Sequence, residues 1–100
     1  MPSRDALPDD RIEAALPEGW RLQDGTVGNR VTKEYTFSNF RTAMGFIVRV
    51  GFEAEAMDHH PELFNVYDRV AIALTTHDAG DRVTETDLEL ARRIEALASD

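Results

Sequence analysis

The spacing of apolar residues changes period several times along the chain, and each change marks an element. In "LPDDRIEAALPEGW", Ile12, Ala15 and Leu16 recur at helical spacing behind Asp9 and Asp10, either of which can cap a short helix. Pro17 and Gly19 stop it, and Trp20 opens a first strand, "WRLQDGT". "RVTKEYTF" then alternates, with Val31, Lys33, Tyr35 and Phe37 on one face and Thr32, Glu34 and Thr36 on the other. That is the pattern of a half-buried strand, and the Gly/Asn-rich turn around Thr26–Asn29 pairs it with the first strand as a hairpin.

The period returns to that of a helix from Ser38, an N-cap candidate, to about Asp58. Phe40, Ala43, Met44, Ile47, Val50, Gly51, Ala54 and Met57 form one long apolar stripe, and Pro61 bars continuation. "FNVY" and "RVAIALTTH" follow as strands separated by the polar pair Asp68–Arg69. Val70, Ile72 and Leu74 share one face, and Ala71, Ala73, Thr75 and His77 the other. "VTETDLELARRIEALA" closes the chain as an amphipathic helix with Leu88, Ala91, Ile94 or Glu95 and Ala98 in phase. Thr84 with Asp87, or Thr86 with Glu89, would form its capping box. The order α-β-β-α-β-β-α predicts an α+β fold, a four-stranded antiparallel sheet with helices packed on one face. No repeat or long linker divides the chain, so residues 1–100 read as one domain.

Composition narrows the function. With 11 Lys and Arg against 19 Asp and Glu, the formal net charge is −8, which argues against a general grip on nucleic acid or on anionic membrane. There is no cysteine, so disulfides, thiolate catalysis and Cys-ligated zinc are excluded. The N-terminus lacks the apolar stretch of a signal peptide and nothing is long and apolar enough to span a bilayer, so a cytoplasmic protein is expected.

All three histidines fall within residues 57–77, "MDHHPELFNVYDRVAIALTTH". Glu55 and His59, four apart near a helix end, can touch. The carboxylate and the helix C-terminus would both favour protonated His59, making it an acid. His60 sits at the break before Pro61 and points elsewhere, while His77 ends a strand. Imidazole gives and takes protons near neutrality, so three of them with Glu55 and Asp58 suit a reaction that protonates a leaving group and removes another proton. The plainer reading is a solvated His pair and a helix terminator. A three-His zinc site is a rival, although adjacent helical histidines diverge by about 100°. Ser38 is better explained as a cap than as a nucleophile, nothing marks Thr75 or Thr76 as activated, and Trp20 and Phe64 read as core rather than as stacking residues.

The same stretch resembles the pterin-4a-carbinolamine dehydratase family, whose signature is an acidic residue, three residues, His-His-Pro, an aromatic, a His ten residues later and an Asp. Here it reads Glu55, "AMD", His59-His60-Pro61, "ELFNV", Tyr67, His77 and Asp87. The resemblance extends upstream through Gly19–Trp20, "KEYTF" and "NFRTAMGFIVRV". It implies the same α-β-β-α-β-β-α fold and dehydration of 4a-hydroxytetrahydrobiopterin to quinonoid dihydropterin. That reaction recycles the pterin of aromatic amino acid hydroxylases, which makes such a hydroxylase a pathway partner. No metal or organic cofactor is implied. Members associate through sheet edges into homodimers, and some pair these into homotetramers. By resemblance His59, His60 and His77 are catalytic, with His59 and His77 exchanging protons, His60 holding the substrate and Glu55 orienting His59. Asp58, Thr75, Thr76 and Asp78 match positions bordering the pterin, Trp20 closes one wall, and Asp87 is the last acidic position or only a helix-start residue. The alternative is a non-enzymatic dimerisation or assembly partner, as some relatives are. The intact histidines favour chemistry.

Overall fold

The computed structural model describes residues 2–99. Its elements are α1 (Asp9–Ala15), β1 (Arg21–Asp24), β2 (Asn29–Thr36), α2 (Phe40–Ala56), β3 (Glu62–Val66), β4 (Arg69–Leu74), a 3-10 turn (His77–Ala79) and α3 (Glu85–Ala98). The order is the one predicted. The four strands form one antiparallel sheet in the order β1-β2-β4-β3.

One face of the sheet carries the core. Val31 and Tyr35 of β2 and Val70, Ile72 and Leu74 of β4 pack against Ile12 of α1, Ala43, Phe46, Val50 and Ala54 of α2, and Leu88, Leu90, Ala91 and Ile94 of α3. The alternation read from "RVTKEYTF" and "RVAIAL" is thus the alternation of core and open face. On the open face, Thr32, Glu34, Phe64, Ala71 and Ala73 line a depression of about 420 Å³.

Several boundaries and faces differ from the expectation. Pro8, not Asp9 or Asp10, is the N-cap of α1, and the two aspartates fill its first turn, where their charge favours the helix dipole. Ala15 is exposed. Asn39, not Ser38, caps α2, its Oδ1 accepting from the backbone N–H of Thr42 at 2.8 Å. The buried stripe of α2 includes Phe46, which the sequence reading left out. Phe40, at 46% exposure, and Gly51 lie on the outside. The third strand is Glu62–Val66 rather than "FNVY", with Tyr67 in the left-handed conformation (φ +52°) at the turn. β4 ends at Leu74, so His77 lies past the strand and opens the 3-10 turn.

The end of α2 matters most for the site. Pro61 does not stop the helix. Asp58 does, by taking φ +50°. Its N–H bonds to Glu55 O at 3.1 Å, and the N–H of His59 reaches back to Ala54 O at 3.0 Å. This pair of bonds is a Schellman closure, usually made with glycine in the left-handed position; aspartate tolerates that conformation better than most residues. The reversal swings His59 off the helix and inward.

Candidate active site

His59 is the buried member of the trio, its side chain 6% exposed. Its Nε2 pairs with Asp87 Oδ1 at 2.5 Å, and Asp87 is itself fully buried. Asp87 sits at the third position of α3 and completes a capping box with Thr84, the first of the two boxes the sequence offered. Its Oδ2 accepts from the Thr84 backbone N–H at 2.9 Å and from the Thr76 hydroxyl at 2.7 Å, and Thr76 and Thr84 hydroxyls meet at 2.8 Å. Asp87 is therefore both a helix-start residue and the partner of a histidine. Among the described residues no buried side-chain nitrogen or oxygen lacks a hydrogen-bond partner.

Glu55 does not orient His59. The i,i+4 expectation assumed a helix continuing through residue 59, and the Schellman closure ends it first. Glu55 Oε1 instead meets His60 Nε2 at 2.9 Å, on a ring that is 62% exposed. His77 has a carboxylate of its own: Nδ1 lies 2.9 Å from Asp81 Oδ1, with the ring 91% exposed. The hydrogen bond and charge of Asp81, with a smaller push from Asp78, raise the His77 pKa above its ordinary value of 6.5.

Three imidazole–carboxylate pairs result: one buried, two open. They belong to one region because Thr76, next to His77, and His59, next to His60, share Asp87. The antiparallel register Glu62↔Ala73 runs the segment before β3 alongside the segment after β4, which is why these residues meet. Among the described residues no three His, Asp or Glu side chains gather as a metal would require.

The other predicted residues divide. Thr76 is buried in the Asp87 link. The Thr75 hydroxyl donates to Asn29 O at 2.8 Å, and Thr75 lines a depression of about 230 Å³ with Arg30, Glu62 and Asp81. Neither this depression nor the larger one on the sheet is lined by a histidine. Asp58 and Asp78 are exposed, beside His59 and His77 respectively. Trp20 is not brought to the histidines. It is buried, packs edge-on to Tyr35, and donates from Nε1 to Glu95 Oε1 on α3 at 3.1 Å. Burial pushes the Glu95 carboxyl up, but hydrogen bonds from Tyr35, Lys33 and Trp20 outweigh it and leave the group below its usual range. Trp20 is thus a strap between the start of β1 and α3.

Asp81 is a residue of this region that the sequence reading missed. The signal was its spacing from His77, the same four residues used for Glu55 and His59. The backbone holds this loop firmly: Asn29 N–H donates to Asp81 O at 2.9 Å, and the chain passes so close that a Cβ at Gly28 (φ +73°) would stand 1.9 Å from Asp81 O.

Residues 5–97 match a family described as pterin 4 alpha carbinolamine dehydratase. A protein of Opitutus terrae, provisionally named a pterin-4-alpha-carbinolamine dehydratase, is 61% identical over 89 residues, covering 87% of this chain and 88% of that protein. One from Rhizobium johnstonii with the same provisional name is 46% identical over 90 residues, covering 88% and 86%. The crystal structure of a transcriptional coactivator/pterin dehydratase from Brucella melitensis superimposes with a TM-score of 0.86 at 38% identity, covering 94% of this chain and 99% of that one.

Proposed function

The chain belongs to the pterin 4 alpha carbinolamine dehydratase family, and from that premise we propose that it removes water from pterin-4a-carbinolamine with His77 as proton donor and His60 as proton acceptor. In this reaction the 4a C–O bond breaks, the oxygen leaves as water after taking a proton, and N5 gives up its proton to yield the quinonoid dihydropterin. One acid and one base suffice. The supporting observation is the pair of open imidazoles, each held by its own carboxylate and each next in sequence to a residue of the buried His59–Asp87–Thr76 link.

The roles follow from which nitrogen each carboxylate occupies. Glu55 engages Nε2 of His60, which leaves Nδ1 as a lone pair able to accept the N5 proton. Asp81 engages Nδ1 of His77 and favours its charged form, which leaves Nε2–H to donate to the departing hydroxyl. This reverses the parts given to His59 and His60 by resemblance. His59 has both ring nitrogens occupied, so it supports the site rather than trading protons. Asp58, Thr75 and Asp78 remain proposed pterin neighbours.

The test of the function is the decay of freshly generated 4a-hydroxytetrahydropterin, followed by absorbance with and without the protein. Acceleration is expected; an unchanged decay would leave the assembly-partner reading, which the coactivator named in the Brucella structure makes concrete.

The pH dependence follows from His77. An acid works while protonated, so its contribution is full below its pKa and is lost as pH rises through it. With that pKa raised, the alkaline limb of kcat should lie above pH 6.5. Asp81→Asn removes the charge of Asp81 and weakens its hydrogen bond, and should slide the limb toward acid, with Asp78 still opposing. A limb that stays put would separate Asp81 from the acid.

We also propose that the protein works as a homo-oligomer joined through β3. This strand lies at the edge of the sheet, and Phe64, Val66 and Tyr67 on it or at its end are 68%, 43% and 63% exposed. An open edge with large apolar side chains invites pairing with a second copy. Light scattering should give a multiple of the 11.3 kDa chain mass, and Val66→Lys should lower it; a wild type at single-chain mass would contradict the proposal.

A further inference from the structure

The N-terminal segment runs as an extended strap along the start of α3. Leu7 N–H donates to Val83 O at 3.0 Å, Ala6 bridges Thr84, and Ser3 O accepts from the Thr86 hydroxyl at 2.9 Å. The strap delivers Arg4 to the end of α2. There its Nη2 donates to Met57 O at 3.2 Å and Asp58 O at 3.1 Å, and its Nη1 faces His59 Nδ1 at 3.4 Å. A guanidinium has donors only. Facing one, Nδ1 of His59 can only accept, so the ring proton belongs on Nε2, where it is donated to Asp87.

We propose that Arg4 is a positioning residue for the dehydration: it fixes His59 in the Nε2–H tautomer and ties down the carbonyls of the turn that carries His59 and His60. The proposal rests on the dehydratase reading for its kinetic part only. Arg4 lies just outside the residues matched by the family, 5–97. The geometry explains why a buried histidine in the signature does not need to trade protons. Without Arg4, two carbonyls lose a donor and Nδ1 is free to carry a proton, so the turn loses both its brace and its fixed ring. His60, the next residue, then loses its aim, and misplacement of about 1 Å costs up to roughly 100-fold.

The experiment compares wild type, Arg4→Ala and Arg4→Lys by long-range nitrogen–proton NMR of the His59 ring near neutral pH, alongside steady-state kinetics. Wild type should show a protonated Nε2 and a bare Nδ1. In Arg4→Ala that signature should change to a mixed or doubly protonated ring, and kcat should fall by about tenfold or more, with KM changed less. Arg4→Lys keeps a donor and the charge but not the fork, and should lie between the two in both readouts. An unaltered His59 signature in folded Arg4→Ala, or an unaltered kcat, would overturn the proposal. Should Arg4→Ala fail to fold, the Lys variant decides: wild-type signature and wild-type kcat there would overturn it too. A wild type without dehydratase activity would end the function reading, while the tautomer comparison would still decide the hold of Arg4 on His59.

Discussion

Replacing His60 or His77 by alanine should cut kcat by roughly 10²–10⁴-fold each, the usual worth of a positioned acid or base. Both rings are exposed, at 62% and 91%, so their removal opens no cavity and leaves no buried group unpaired. Surface substitutions of that kind change stability by about 0.5 kcal/mol or less, so melting curves should overlay wild type while activity collapses. The double variant should be little worse than the slower single one, because an acid and a base acting in one step are not additive. Stopped-flow decay of the carbinolamine reads all three. Retention of wild-type rate in His77→Ala would remove the proposed donor.

Asp87→Ala should do the opposite, with stability lost first. The carboxylate is fully buried and is the shared acceptor for His59, Thr76 and the Thr84 backbone. Deleting it strands three buried donors and removes one half of the capping box of α3. Breaking a buried pair of this kind costs about 3–5 kcal/mol, and a chain of this size loses about 4–8 °C per kcal/mol. A fall in Tm of roughly 12 °C or more is expected. Asn at the same position keeps one acceptor but turns an amide N–H₂ toward a donor, so it should fall between. A loss below about 1 kcal/mol for Asp87→Ala, by urea unfolding, would mean the network contributes little to holding the two halves of the site together.

The elements were legible in sequence because their periods differ sharply. "RVTKEYTF" and "RVAIAL" alternate cleanly, and every residue assigned to the inner face of β4 is buried. The orientation of α2 was less legible because the helix carries two apolar stripes. Ala43, Phe46, Val50 and Ala54 face the sheet, whereas Phe40, Val48 and Phe52 face out, and periodicity alone cannot say which stripe finds the core. Capping was half legible. The Thr84–Asp87 box follows from residue types, but the closure at Asp58 is a backbone conformation that no spacing rule reports. That one turn decided the site, since it moved Glu55 from His59 to His60.

The trio of histidines was legible as a cluster, and the partners were legible in proportion to their nearness in sequence. Asp81 is four residues from His77 and was within reach of the same rule. Asp87 is 28 residues from His59, and Arg4 is 55 away; only the folded chain brings them together. Trp20 shows the converse. Its place in the motif suggested a wall of the site, but its area and its N–H found Tyr35 and Glu95 in the core.

The most direct measurement is imidazole NMR of the protein titrated with an unreactive dihydropterin. The signals of His60 and His77 should move together and saturate with a single Kd, while the Trp20 indole signal stays in place. Movement of only one of the two rings, or saturation at two unrelated concentrations, would show that they do not serve one substrate.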